Sequence, residues 1–210
     1  MIIDLHAHTS PASDDSFLEP IQLIHRAKQV GLDAVCLTEH DCFWDKNELA
    51  RLSQKHDFLL LPGVEIDTEE GHILVFGLEE YSLGMDQPEY LRRIVDKAGG
   101  VMILAHPYRG QSHNDEELRT AVEQYCAEPV SRLVDAIEVL NGRGSERQNR
   151  FSQEVCRKLG LKGIGGSDAH SFSDMPSCAT LFERSISNVE ELIAELKAGR
   201  FRAVNLNPGS

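Results

Sequence analysis

Two pairs of potential metal ligands with the same spacing stand near opposite ends of the chain, His6-Ala7-His8 and Asp168-Ala169-His170. On a strand, residues i and i+2 face the same side, so both members of a pair can reach one ion. Either pair alone says little. A solvent-facing strand, or an aspartate capping a helix after Gly165 and Gly166, would give the same letters. Three more apolar runs end in the same way: Leu37 into Thr38-Glu39-His40-Asp41, Val64 into Glu65, and Leu104-Ala105 into His106-Pro107. Six of the nine histidines lie in or beside strand candidates, a preference that scattered surface histidines would not show. Glu65 sits in an otherwise apolar run, where a buried carboxylate is costly unless it is paired or bound to a metal. His40 and His106 pass the same test, with a satisfied core histidine as the plain alternative. His72 either joins them or simply opens a surface strand. Imidazole and carboxylate without thiolate suit Mn, Fe or Zn better than Mg or Ca. Such ions lower the pKa of bound water toward neutrality, so the chemistry to expect is hydrolysis by metal-activated water.

Something must bring these separated residues to one place. Apolar runs at 2–5, 34–38, 58–64, 72–77, 101–105, 136–140, 163–166 and 202–206 predict strands. Between them lie helical patterns with recognisable ends. Pro20 suits a first helical position, Ile21, Ile24, Ala27 and Val30 share a face, and Gly31 stops the helix. Ser145 with Gln148 reads as a capping box closed by Gly160, and Ser187 with Glu190 repeats the device before Gly199. This alternation predicts a parallel sheet, and about seven such units would close a barrel. An open doubly wound sheet is the competing architecture, but no G-x-G-x-x-G follows a strand. In either fold the C-terminal strand ends converge on one face, where catalytic groups collect.

Bulk properties narrow the class. At 210 residues the chain suits a single domain over 1–210, with 41% hydrophobic and 26% charged residues. A net charge of −13 argues against broad binding to nucleic acid or an anionic membrane, so no stable nucleic-acid complex is expected. The opening Met1-Ile2-Ile3-Asp4-Leu5-His6 meets charge too early for an apolar signal region, and the longest apolar runs are too short to cross a bilayer. The five cysteines are scattered without a C-x-x-C, so neither a disulfide framework nor a zinc ribbon is indicated and a cytoplasmic setting is expected.

In order, Asp4-Leu5-His6-Ala7-His8-Thr9, Thr38-Glu39-His40-Asp41, Gly63-Val64-Glu65-Ile66, Ala105-His106-Pro107 and Gly166-Ser167-Asp168-Ala169-His170 resemble the motifs of the PHP (polymerase and histidinol phosphatase) family. The resemblance runs from residue 2 to about 171. It implies a distorted seven-stranded (β/α) barrel, TIM-like, with its active site at the C-terminal ends of the strands. It also implies two or three divalent transition-metal ions and phosphoesterase activity. On that resemblance, His6 and His8 are ligands of one metal and Glu65 bridges to a second. Asp168 and His170 complete the set, while His40, His72 and His106 serve the remaining ions. The family also places a carboxylate or histidine shortly after the first motif. Asp15 fits its spacing better than Asp14, counting back from Pro20. One departure stands out: Glu39 occupies the place of the usual first aspartate of T-D-H-D. Glu39 and His40 should face opposite ways along a strand, so only the role of Glu39 is left open.

Arg109, three residues after His106, and Arg143, just past the strand end at Leu140-Asn141-Gly142, are the candidates to bind phosphate oxygens. His106 and His170, together with Arg109, are the candidates for direct catalytic roles, the histidines by protonating the leaving group. A small phosphomonoester, nucleotide or short oligonucleotide is the expected substrate, and the sequence is silent on oligomeric state. Two rivals remain. An amidohydrolase-type C–N hydrolase also opens with H-x-H, but it commonly bridges its metals with a strand-end lysine; Lys97 falls in a helical pattern and Lys162 precedes its strand. A non-catalytic metal-binding PHP module is the other, although it should have lost ligands that this chain keeps.

Overall fold

The computed structural model describes residues 1–108, 118–174 and 176–206. Ten strands and six α-helices lie along it. The strands are β1 (Ile2–Asp4), β2 (Ala34–Leu37), β3 (Leu59–Pro62), β4 (Val64–Thr68), β5 (Gly71–Phe76), β6 (Val101–Leu104), β7 (Ala136–Asn141), β8 (Lys162–Gly166), β9 (Cys178–Phe182) and β10 (Phe201–Asn205). The helices are α1 (Pro20–Gln29), α2 (Lys46–His56), α3 (Pro88–Ala98), α4 (Leu118–Tyr125), α5 (Glu146–Leu159) and α6 (Val189–Lys197). Strands β3, β4 and β5, and again β8 and β9, follow one another directly. No helix among the described residues is long and apolar enough to cross a membrane.

Helix ends follow local chemistry. Pro20 opens α1, where the Glu19 N–H donates to Gln22 Oε1 at 3.0 Å. Ser145 caps α5 in a complete box with Gln148, and Gly160 ends it in the left-handed conformation that costs glycine least. The third expected cap is displaced by one residue. Asn188, not Ser187, accepts from the Glu191 N–H, and Ser187 instead donates to the Glu191 carboxylate.

The sheet is mixed, not wholly parallel, and the hydrogen-bond ladders give two five-stranded sheets with no closed barrel among the described residues. Their orders are β10-β9-β1-β2-β3 and β4-β5-β6-β7-β8. Antiparallel pairing enters through β4–β5–β6 and through β9 with both β1 and β10. The run expected as one strand over 58–64 breaks at Gly63, where a Cβ would lie 2.7 Å from the Phe76 ring. Beyond it, β4 hairpins with β5 through a turn at Glu69-Glu70, with Asp67 opposite His72. Beyond the ladders, two isolated parallel bridges, Ala7 with Ala169 and His40 with Glu65, tie the sheets together. Both lie where the strands end, and the candidate residues gather there.

Alternation places the rest. Ile3, Leu5 and Ala7 are buried among apolar neighbours, leaving His6 and His8 together on the other side. Each fully buried aliphatic chain of this size contributes about 1.5–3 kcal/mol, so a one-residue slip that exchanged the two faces would be strongly opposed.

Candidate metal centre

Glu65 is the middle of the site. It is the second residue of β4, is fully buried, and its register is held by the Glu65 N–H donating to the Glu39 carbonyl at 3.0 Å and by Asp41 N–H donating to its own carbonyl at 2.9 Å. Its Oε2 lies 3.1 Å from His6 Nε2, 3.0 Å from His8 Nε2 and 3.6 Å from His40 Nδ1. Its Oε1 lies 3.0 Å from His72 Nδ1 and 2.9 Å from His106 Nε2. Five imidazoles thus meet one carboxylate. Asp168 Oδ1 stands 3.6 Å from the Nε2 atoms of both His6 and His8. Asp15, not its neighbour Asp14, turns toward the cluster, with Oδ2 2.9 Å from His170 Nε2 and 3.7 Å from His40 Nε2. The structure therefore brings together His6, His8, Asp15, His40, Glu65, His72, His106, Asp168 and His170.

The donor set suits metal. His6 Nε2 and His8 Nε2 face each other at 3.0 Å, about the separation of two imidazole nitrogens each ~2.0–2.1 Å from a shared ion. Ligand atoms of His6, His8 and Glu65, of Glu65, His72 and His106, and of His8, His40 and His170 each lie within 4.8 Å of one another. Asp67, which sequence reasoning missed, forms a further group with His40 and His72, its Oδ1 3.0 Å from His40 Nδ1. The hairpin register produces that contact, and nothing in the run Ile66-Asp67-Thr68 signals it.

Electrostatics follow the geometry. Burial opposes a charge on His6, but the carboxylates of Glu65, Glu138 and Asp168 outweigh it and lift the imidazole well above its ordinary value. Burial takes His8 down to about 4. Burial would raise Glu65, yet His6, His106 and His72 hold it well below the usual carboxylate range. The backbone carries strain at the same place. His106 and Asp168 adopt positive φ angles of 26° and 55°, conformations that side chains other than glycine rarely accept and that cluster at functional sites.

Glu39 has a clear place. It faces away from His40, is fully buried, and accepts hydrogen bonds from the Thr9 N–H at 2.7 Å, Ser13 Oγ at 2.6 Å, Trp44 Nε1 at 2.8 Å and the Thr9 hydroxyl. It clamps the loop carrying Asp15, and of the pair only His40 faces the cluster. The glycines flagged beside Asp168 are needed for close approach: a Cβ on Gly165 would lie 2.5 Å from the Ala179 carbonyl oxygen. Of the two arginines, Arg143 reaches the rim with Nη1 3.0 Å from His170 Nδ1, whereas Arg109 lies outside the described residues. Glu138 and Asn141, buried behind the cluster, were also missed. Glu138 stands in the apolar run Ala136-Ile137-Glu138-Val139-Leu140 and carried the signal that marked Glu65.

Residues 146–201 match the family model described as PHP-associated. An uncharacterized protein of Methanocaldococcus jannaschii, MJ1587, is 30% identical over 118 residues, covering 51% of this chain and 68% of its own. Among solved structures, a two-domain protein of Bacteroides vulgatus containing a predicted PHP-like metal-dependent phosphoesterase superposes with a TM-score of 0.65 at 26% identity, over 98% of this chain and 64% of that one. PsfC of Pseudomonas syringae shares the fold with a TM-score of 0.65 at 20% identity, over 97% and 91% of the two chains. With this agreement between ordered motifs, site geometry and relatives, the chain belongs to the PHP (polymerase and histidinol phosphatase) family.

Proposed function

We propose that this protein hydrolyses a phosphate ester with two or three divalent transition-metal ions, Mn, Fe or Zn. His6, His8, Asp15, His40, Glu65, His72, His106, Asp168 and His170 would hold them. The observation that carries the reading is the convergence of five imidazoles on the one buried carboxylate of Glu65. Bound there, the ions supply a water of lowered pKa and positive charge facing the phosphate oxygens. Arg143, at the rim beside His170, would bind phosphate oxygens, with Arg109 in the same role. His106 and His170 would hand a proton to the leaving group. A small phosphomonoester, nucleotide or short oligonucleotide fits a net charge of −13 better than a stable nucleic-acid complex does. The C–N hydrolase reading loses ground, because Lys97 is exposed on α3 and Lys162 is exposed at the start of β8, away from Asp168.

The test is a screen of the metal-reconstituted protein over phosphomonoesters, nucleoside bisphosphates and diesters, with a chelator control. At least one ester should turn over, lose turnover with chelator and regain it with Mn, Fe or Zn. A protein that takes up no metal by elemental analysis would sink the metal reading. A metal-loaded protein inert across the panel would sink the phosphoesterase.

Ligation by His6 requires loss of the proton that its carboxylate neighbours favour. Apparent Zn²⁺ affinity should therefore rise with pH across the neutral range, by about tenfold per unit while one proton is displaced. Chelator-competition titrations at about pH 6 and pH 7 would show this, and a flat profile would take His6 out of the coordination sphere.

A further inference from the structure

Behind the residues that face the cluster, the end of β7 carries a second polar layer. Glu138 is fully buried. Its Oε1 accepts from His6 Nδ1 at 2.9 Å, and its Oε2 accepts from the His106 backbone N–H at 2.9 Å and from Asn141 Nδ2 at 3.0 Å. Asn141, 1% exposed, also donates from Nδ2 to Asp168 Oδ2 at 3.1 Å. Its Oδ1 accepts from the Tyr108 hydroxyl at 3.1 Å and from the Arg143 N–H at 3.0 Å. His6, His106 and Asp168 follow β1, β6 and β8, yet their ligand atoms lie within 4.8 Å of one another. Two adjacent side chains of β7 thus hold one whole group of candidate ligands.

Two neighbours three residues apart should not meet on a regular strand, where i and i+3 face opposite sides. The register shift between Glu138 and Leu140 removes the obstacle, because a bulge spends one extra residue and restores a common face. The irregularity in β7 therefore has a use.

We propose that Glu138 and Asn141 are positioning residues for one divalent ion, resting on the metal reading above. A carboxylate can only accept, so Glu138 keeps the His6 proton on Nδ1 and presents the Nε2 lone pair to the ion. Asn141 aims the Asp168 carboxylate, and Glu138 fixes the backbone at His106. Glutamine at 138 cannot do the same. With its oxygen toward His6, its amide N–H₂ meets the His106 N–H and the Asn141 amide donor. With its nitrogen toward His6, the imidazole proton is forced to Nε2, where an ion needs the lone pair.

The experiment measures Zn²⁺ and Co²⁺ affinity of the whole chain by chelator competition, together with the visible spectrum of the Co²⁺ form. Glu138→Gln and Asn141→Ala should each weaken the tightest site about 10- to 100-fold, the usual range for outer partners of metal ligands, and should alter the Co²⁺ bands. Affinities within twofold of wild type with unchanged bands would overturn the proposal. If Glu138→Gln does not fold, Asn141→Ala decides alone, by the same criterion. The readout is independent of substrate, so a wild-type protein that binds metal but cleaves no ester would refute the phosphoesterase and leave this proposal to its own test.

Discussion

On the proposed reading, replacing Glu65 by glutamine is expected to lower kcat/KM on the ester substrate by about a thousandfold, equivalent to roughly 4 kcal/mol of transition-state stabilisation. The size follows from the geometry. Both oxygens of Glu65 are engaged, Oε2 toward His6, His8 and His40 and Oε1 toward His72 and His106. An amide supplies one acceptor where the carboxylate supplies two, and it carries no charge. On the proposed reading two ions share this residue, so both should bind more weakly. Elemental analysis should show fewer metal equivalents per chain, with the fold kept by circular dichroism. Wild-type turnover with full metal content would move the reacting centre away from Glu65.

Gly166→Ala, which removes no functional group, should come second in effect. A Cβ at 166 would lie 2.5 Å from His6 Cβ and 2.8 Å from Glu138 Oε1. Neither neighbour can step aside cheaply. His6 Cβ moves only with the backbone just past β1, whose carbonyl at His6 accepts from the Asp168 N–H at 2.7 Å. Overpacking of this kind costs about 2 kcal/mol, a fall of roughly 4–8 °C in Tm for a chain of this size. The separation of β1 from β8 should also widen, taking His6 from Asp168 and costing metal affinity. A variant with unchanged Tm and metal content would show that the strands have slack the contact distances deny.

The strand ends that meet at the cluster were legible because each needed only local information: an apolar run, then a polar residue with no reason to be there. Helix caps were legible for the same reason, as at Ser145 and Gly160. What stayed hidden depends on partners far along the chain. The run over 58–64 breaks at Gly63, where the Phe76 ring leaves no room for a side chain, and the antiparallel course of β4 and β5 is set by the turn at Glu69-Glu70; periodicity over 58–64 shows neither. Without that hairpin, Asp67 has no visible tie to His40 and His72. β9 was missed altogether, although it joins β1 to β10 through pairings such as Ile2 with Leu181. The outlines of one sheet thus depended on a strand with no distinct pattern of its own. Glu138 failed differently: its run carried the signal that marked Glu65, but its contacts with His6 and His106 arise only once the sheet is assembled.

The bridge between Ala7 and Ala169 joins positions at opposite ends of the described chain. An ion engaged by His6 and Asp168 together would fasten that junction, acting as a clasp between the two ends of the fold. Ligand binding that favours only the folded state adds about 1.4 kcal/mol for each tenfold excess over the dissociation constant. On the proposed reading, the supply of the reactive ion would therefore also govern how long the folded chain persists, and scarcity would remove the protein as well as its activity.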